Sequence, residues 1–238
     1  MRSEREPEGS FSSNGGATTM ITLADVKHNP AFESFMKQGD THLEAIGFTE
    51  HGNRHAGLVS NISRNILIRL GYDQRLAELA AIAGFLHDIG NVVTRHDHGQ
   101  TGALIVTNIL AQMGMDYSEI AIVMGAIGNH EEEYGEPVSD VSAAVILADK
   151  SDVHRSRVRN RDIATFDIHD RVNYAVVHSF LNVDDATRDI TLNLTIDNEI
   201  CPVMEYFEIF LIRMVMCRRA ASFLKAVFRI EINGAKIL

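Results

Sequence analysis

Six residues of this chain have the types and spacing of metal ligands: His55, the adjacent pair His87-Asp88, His98, His130 and Asp149. Neutral imidazoles and carboxylates together suit first-row divalent cations, the imidazoles donating lone pairs and the carboxylates balancing charge. A side-by-side His-Asp pair with ligands on other segments can hold two such ions. Two ions activating a shared water point to hydrolysis of a phosphoester.

Helical periodicity places every one of the six on an apolar stripe. His55 aligns with Val59, Ile62 and Ile66, and His98 with Gly102, Ile105 and Ile109. His130 follows Val123, Ala126 and Ile127, Asp149 follows Val141, Val145 and Ile146, and His87-Asp88 end a stripe through Ala80, Ala83 and Gly84. Spacings of three and four residues turn these polar groups toward the core. One such histidine is ordinarily a hydrogen-bonded core residue. Four histidines and two aspartates buried together without a cation would cost several kcal/mol per charged group. His96 competes with His98, but His98 opens a helix with a clean apolar face, so His96 is read as a solvated loop residue.

The elements that must position these groups are helices. The pattern predicts helices over 31–38, 54–70, 73–88, 98–113, 117–130 and 139–158, separated by Gly71, Gly90, Gly114, Gly135 and Pro137. After about residue 160 the character changes. Ile190, Leu192, Leu194 and Ile196 alternate with polar residues and predict a strand with one buried face. Residues 202–225 return to a helical pattern, and Val227 to Leu238 around Asn233-Gly234 predict a short hairpin. The expected fold is mainly α: a helical metal-binding domain over 20–160 and a small α+β extension over 161–238. Residues 1–19, rich in Ser, Gly and Glu, are expected to be a disordered extension ahead of Met20.

The 238-residue chain can bury one good core, and 45% of its residues are hydrophobic. A net charge of −10 argues against general nucleic-acid binding. Cys201 and Cys217 have no metal-type spacing and fit a reducing compartment. No apolar run reaches the ~18 residues that span a bilayer. A cytoplasmic protein with no membrane partner is expected, with pairing through exposed edges of the C-terminal strands as a route to a homodimer.

His55, Phe85-Leu86-His87-Asp88-Ile89-Gly90 and Ala148-Asp149-Lys150 resemble the H…HD…D signature of the HD-domain metal-dependent phosphohydrolases, from about His51 to Arg161. His98 and His130 are similar to the two extra histidines of the dinuclear branch. The resemblance implies an HD-type helical bundle and two divalent cations (Mn, Fe, Co or Zn). Asp88 would bridge them and a shared hydroxide, with His55, His87 and Asp149 on one ion and His98 and His130 on the other. The substrate implied is a phosphoester of a small phosphorylated metabolite or nucleotide. Cyclic-dinucleotide phosphodiesterases of the HD-GYP type carry Lys where this chain has Asn91 and a further His where it has Asn129, and Gly135-Glu136-Pro137 is only faintly similar to their tripeptide. Neither that cleavage nor a third metal is expected.

Around the ligands, Lys150, Arg155 and Arg157 are the candidate contacts to a substrate phosphate, read as following Asp149 on one helix. Arg159 and Arg161 are read as its solvated basic end. His51 and Glu131 are candidates for contacts behind the ligands, Glu131 as the partner of His130. Two competing functions remain: a di-iron HD-fold oxygenase, which has the same six ligands, and a binding module without turnover.

Overall fold

The structure is a computed structural model and describes residues 20–238. The expectation for residues 1–19 lies outside them. Helix α1 (Leu23–Lys27) opens on a capping box between Thr22 and Asp25. α2 (Pro30–Ala45) opens on Asn29, whose side chain accepts from the next two amides, with Pro30 in the first turn. α3 (Asn53–Arg69), α4 (Gln74–Leu86), α5 (His98–Gln112), α6 (Tyr117–Gly128) and α7 (Asp140–Ser151) follow, capped by Asp73, Asp116 and Ser139 at α4, α6 and α7. A short 3-10 turn (Ile89–Val92) joins α4 to the segment before α5. The helices pack α3 on α4 and α7, and α5 on α6, around α4 and α7, both lined by buried Ala, Ile and Leu.

α2 runs on through Gly39 to Ala45, beyond the end expected at residue 38. A Cβ on Gly39 would lie 3.1 Å from the amide nitrogen of Val92. The glycine therefore serves close packing of α2 on the 3-10 turn, which outweighs its poor helix propensity.

The C-terminal part contains α8 (Ile168–Ala175), β1 (Val176–Val183), β2 (Asp189–Ile196), α9 (Val203–Phe223), β3 (Val227–Ile232) and β4 (Ala235–Lys236). The sheet order is β1-β2-β3-β4. β1 and β2 are antiparallel with Leu181 opposite Leu192, and β2 and β3 are parallel with Leu192 opposite Ile230. α9 makes the crossover that a parallel pair requires. β3 and β4 form the expected hairpin, with Asn233 and Gly234 at positive φ (53° and 78°). The alternation at β2 is as expected, with Ile190, Leu192, Leu194 and Ile196 buried. α8 and β1 have no counterpart in the sequence reading. β1 shifts register between Val176 and His178 and leaves Val177 to Phe180 largely outside the core, so it has no clean alternation.

One apolar core spans both parts: Val145 and Ile146 of α7, Cys217 and Ala220 of α9, and Ile190 and Leu192 of β2 belong to the same cluster. α9 packs along α7. Among the described residues no helix is long and apolar enough to cross a membrane, and Cys201 and Cys217 are free and buried.

The helix expected over 139–158 is the one that departs most from the reading. α7 stops at Ser151 instead of continuing to 158. Asp152 leaves helical geometry (φ −83°, ψ 76°), and Arg155–Arg157 form a separate 3-10 turn. The helix ends because the Asp152 carboxylate is drawn back under α3, where it pairs with His55 and Arg54.

Candidate metal centre

The six expected ligands meet at helix ends. His55 lies in the first turn of α3, His87 at the C-terminus of α4 with Asp88 next to it, and His98 is the first residue of α5. His130 follows α6, and Asp149 lies in the last turn of α7. Asp97, in the left-handed region (φ 55°), turns the chain into α5. Gly90 lets the turn after Asp88 touch the start of α5. A Cβ there would stand 2.7 Å from the amide nitrogen of Gly102 and overlap the carbonyl oxygen of His98.

Each histidine is fixed through Nδ1. That nitrogen donates to the carbonyl of Gly84 in His87 (2.9 Å), of Ile127 in His130 (2.7 Å) and of Arg95 in His98 (3.0 Å). In His55 it meets the carboxylate of Asp152 at 2.7 Å. A carbonyl can only accept, so these rings carry a proton on Nδ1 and, when neutral, a lone pair on Nε2.

The four Nε2 atoms converge. His55 and His87 are 3.2 Å apart at Nε2, and His98 and His130 are 3.0 Å apart. Asp88 divides its carboxylate between the two pairs. Oδ2 lies 3.2 Å from Nε2 of His87 and 3.5 Å from that of His55, while Oδ1 lies 3.1 Å from that of His98 and 3.9 Å from that of His130. Asp149 Oδ1 joins the first pair at 3.3 Å from His55 and 3.6 Å from His87. Ligand atoms about 2.1 Å from a single ion at tetrahedral or octahedral angles sit roughly 3.0–3.4 Å apart. His55, His87 and Asp149, and His87, Asp88 and His130, are groups that could each hold a metal ion. Asp88 Oδ2 is buried with no hydrogen-bond partner among the described residues. Facing lone pairs and an orphaned carboxylate oxygen are what a cation would satisfy, so the donor set fits divalent metal.

The electrostatics agree. Burial opposes charge on His87, yet Asp88 and Asp149 push its pKa up to about 10. Burial also works against the ionised carboxylates of Asp88 and Asp149, but His87 and Lys150 hold them well below the usual range. His130 is depressed by burial and by its neighbours His98 and His87.

The candidate ligands open onto a cleft of about 480 Å³, whose lining also includes the cations Arg95, Lys150, Arg157 and Arg213, the carboxylates of Asp97, Glu131, Glu132 and Glu133, and the rings of Phe48 and His51. Lys150 lines it as expected, its Nζ 2.7 Å from Asp149 Oδ2 and 3.5 Å from Glu132. His51 also faces it, its Nδ1 bonded to the carbonyl of Thr49 and its ring 5.5 Å from that of His55. Arg157 reaches the cleft wall from the 3-10 turn and not along α7, and donates to the carbonyls of Asp152 (2.8 Å) and Glu50 (3.1 Å). Arg155 is not brought to the cleft: its guanidinium lies over the Tyr174 ring, 5.1 Å from the centroid. Glu131 stands behind His98 and not His130, 3.2 Å from His98 Nδ1 and accepting from the amide of Gly99. The Nδ1 of His130 is already taken by Ile127, which leaves Glu131 nothing to orient there.

Sequence reasoning missed four residues at the site. Asp152 holds His55, and Arg54 in turn holds Asp152 (2.8 Å). Asp152 is three residues beyond Asp149, on the same face of the helix as read, so a signal was present. Arg95 lies between the His-Asp pair and His98. Arg213 arrives from α9, over 50 residues beyond the last ligand, and pairs with Glu132 at 2.6 Å. No local pattern announces that contact.

Residues 53–154 match the family model of the HD domain. HD domains bind divalent metals and are typically metal-dependent phosphohydrolases. The matched segment begins just before His55 and ends just after Asp152, so it encloses all six candidate ligands. Over residues 53–154 this chain is similar to the HD domain family.

Proposed function

We propose that the protein is a metal-dependent phosphohydrolase that cleaves a phosphoester of a small phosphorylated metabolite, a nucleotide being the leading class, at a pair of divalent cations. His55, His87 and Asp149 would hold one cation, His98 and His130 the other, and Asp88 both. The observation that carries this reading is the split of the Asp88 carboxylate between two histidine pairs whose Nδ1 atoms are already committed. Bound there, Mn, Fe, Co or Zn would acidify a coordinated water and polarise the phosphoryl group. The chain's own residues do the rest. Asp152, Glu131 and the three carbonyls keep the imidazoles aimed. Lys150 neutralises Asp149, and Arg95, Arg157 and Arg213 stand among the cleft's carboxylates as cations that an anionic substrate can meet. The cleft suits a small molecule better than a polymer.

The test is metal content by elemental analysis together with release of phosphate from a panel of phosphoesters in Mn²⁺ without oxygen. About two metals per chain with phosphate release supports the reading. Two irons, no phosphate release and oxygen consumption would instead establish a di-iron oxygenase. An intact metal pair without turnover on either panel would leave a binding module.

A further inference from the structure

We propose that Arg95 is the residue that takes the substrate's phosphoryl oxygens, and that filling the cation position beside His98 is what releases it to do so. This rests on the phosphohydrolase reading above. Among the described residues, Arg95, Lys150, Arg157 and Arg213 are the lysines and arginines that line the cleft. Three are already engaged. Lys150 lies between Asp149 and Glu132, Arg213 is paired with Glu132 at 2.6 Å, and buried Arg157 donates to two main-chain carbonyls. A phosphate recruiting any of these would compete with a carboxylate or strand a buried carbonyl.

Arg95 is different. Its nearest carboxylate oxygen, Asp88 Oδ1, is 3.7 Å away, and its hydrogen bonds are long: Nη1 is 3.3 Å from both Asn91 Oδ1 and His98 Nε2. Nε and Nη2 donate to no acceptor among the described residues. The guanidinium lies 5.4 Å from the centroid of the Phe48 ring, which limits its movement, and the side chain is 29% exposed at the cleft. A planar fork with free donors is the geometry that grips phosphate in two places.

The contact with His98 couples this to the metal. Nη1 of Arg95 points at the lone pair a cation would take, and the backbone carbonyl of the same residue accepts from Nδ1 of His98. A divalent cation at His98 and His130 repels the guanidinium at short range. The side chain then turns from the ligand toward the cleft, where an anion can meet it. Metal loading and anion binding are therefore linked through one residue.

The experiment is titration calorimetry of inorganic phosphate into protein carrying two equivalents of Mn²⁺ and into the metal-free protein, for wild type, Arg95→Met and Arg95→Lys. Loaded wild type should bind phosphate more tightly than metal-free protein. Arg95→Met should weaken phosphate binding to the loaded protein by roughly 10-fold or more. It should keep the full metal complement and bind manganese no more weakly than wild type, because a competing cation has gone. Arg95→Lys should recover part of the loss. Equal phosphate affinity in loaded wild type and Arg95→Met would overturn the role of Arg95 and leave the hydrolase reading standing. Loss of phosphate binding together with loss of metal would also overturn it, making Arg95 a support for His98. Loaded wild type that binds no phosphate would overturn both readings.

Discussion

His55 and Asp152 are joined by a 2.7 Å hydrogen bond between Nδ1 and Oδ2, at a point where both side chains are nearly free of solvent. The carboxylate aims the ring and is itself held by Arg54 and the nearby Arg157 guanidinium. Such a carboxylate behind a histidine typically changes metal affinity by about 10–100-fold. Asp152→Asn, which keeps an acceptor but removes the charge, should weaken Mn²⁺ binding at the His55 position within that range while the circular dichroism spectrum stays native. Calorimetric titration with Mn²⁺ checks this, and an unchanged affinity would reduce the pair to packing.

Asp88 faces both histidine pairs, whereas His130 stands closest to His98, with the two Nε2 atoms 3.0 Å apart. Elemental analysis should therefore separate two variants. Asp88→Ala should strip both metals. His130→Ala should lower the content from about two per chain to about one, with the fold intact. Full retention in both variants would refute the ligand assignment.

Arg157 is placed to hold structure more than substrate. It is 4% exposed and donates to the carbonyls of Asp152 and Glu50. Leaving a buried acceptor without its donor costs about 1–3 kcal/mol. Arg157→Met should thus lower the melting temperature clearly. A variant as stable as wild type but with a raised KM for a phosphoester would assign Arg157 to the substrate instead.

The metal-free protein should respond to pH through His87. With Asp88 and Asp149 outweighing burial, its imidazole stays protonated in the folded state up to about 10, against the ordinary 6.5. The stabilisation this represents is whole below the ordinary value and is lost as pH rises through the folded one. Melting temperature of the metal-free protein should fall between about pH 7 and pH 10, and His87→Gln should flatten that slope. Saturating Mn²⁺ should flatten it too, because the cation takes the place of the proton. A wild-type metal-free slope that rises over this range would contradict the placement of charge.

Gly90 tests the contact between the turn after Asp88 and the start of α5. A methyl group there overlaps the His98 carbonyl. Gly90→Ala should destabilise the fold by about 1–3 kcal/mol, typical of overpacking, and should reduce metal occupancy at the His98 position more than at the His55 position. Equal loss at both positions, read by titration with Mn²⁺, would mean a general disruption.

The amino-acid sequence alone singled out the six candidate ligands and the helices that position them. Helical periodicity is a local property, and six side chains of metal-ligand type on apolar stripes are legible without knowing how the helices pack. The buried alternation from Ile190 to Ile196 and the Asn233-Gly234 turn are local in the same way. Tertiary structure decided what surrounds the ligands. Whether α7 continues to Arg157 or stops at Ser151 depends on Asp152 finding His55 and Arg54, which lie nearly a hundred residues earlier in the chain. Which cation is left to meet an anion depends on carboxylates from other elements: Glu132 pairs with Arg213 of α9 at 2.6 Å and approaches Lys150 of α7, while the carboxylate nearest Arg95, that of Asp88, stays 3.7 Å away. Charge pairing across a cleft is a matter of distance in space. A sequence pattern reports only distance along the chain.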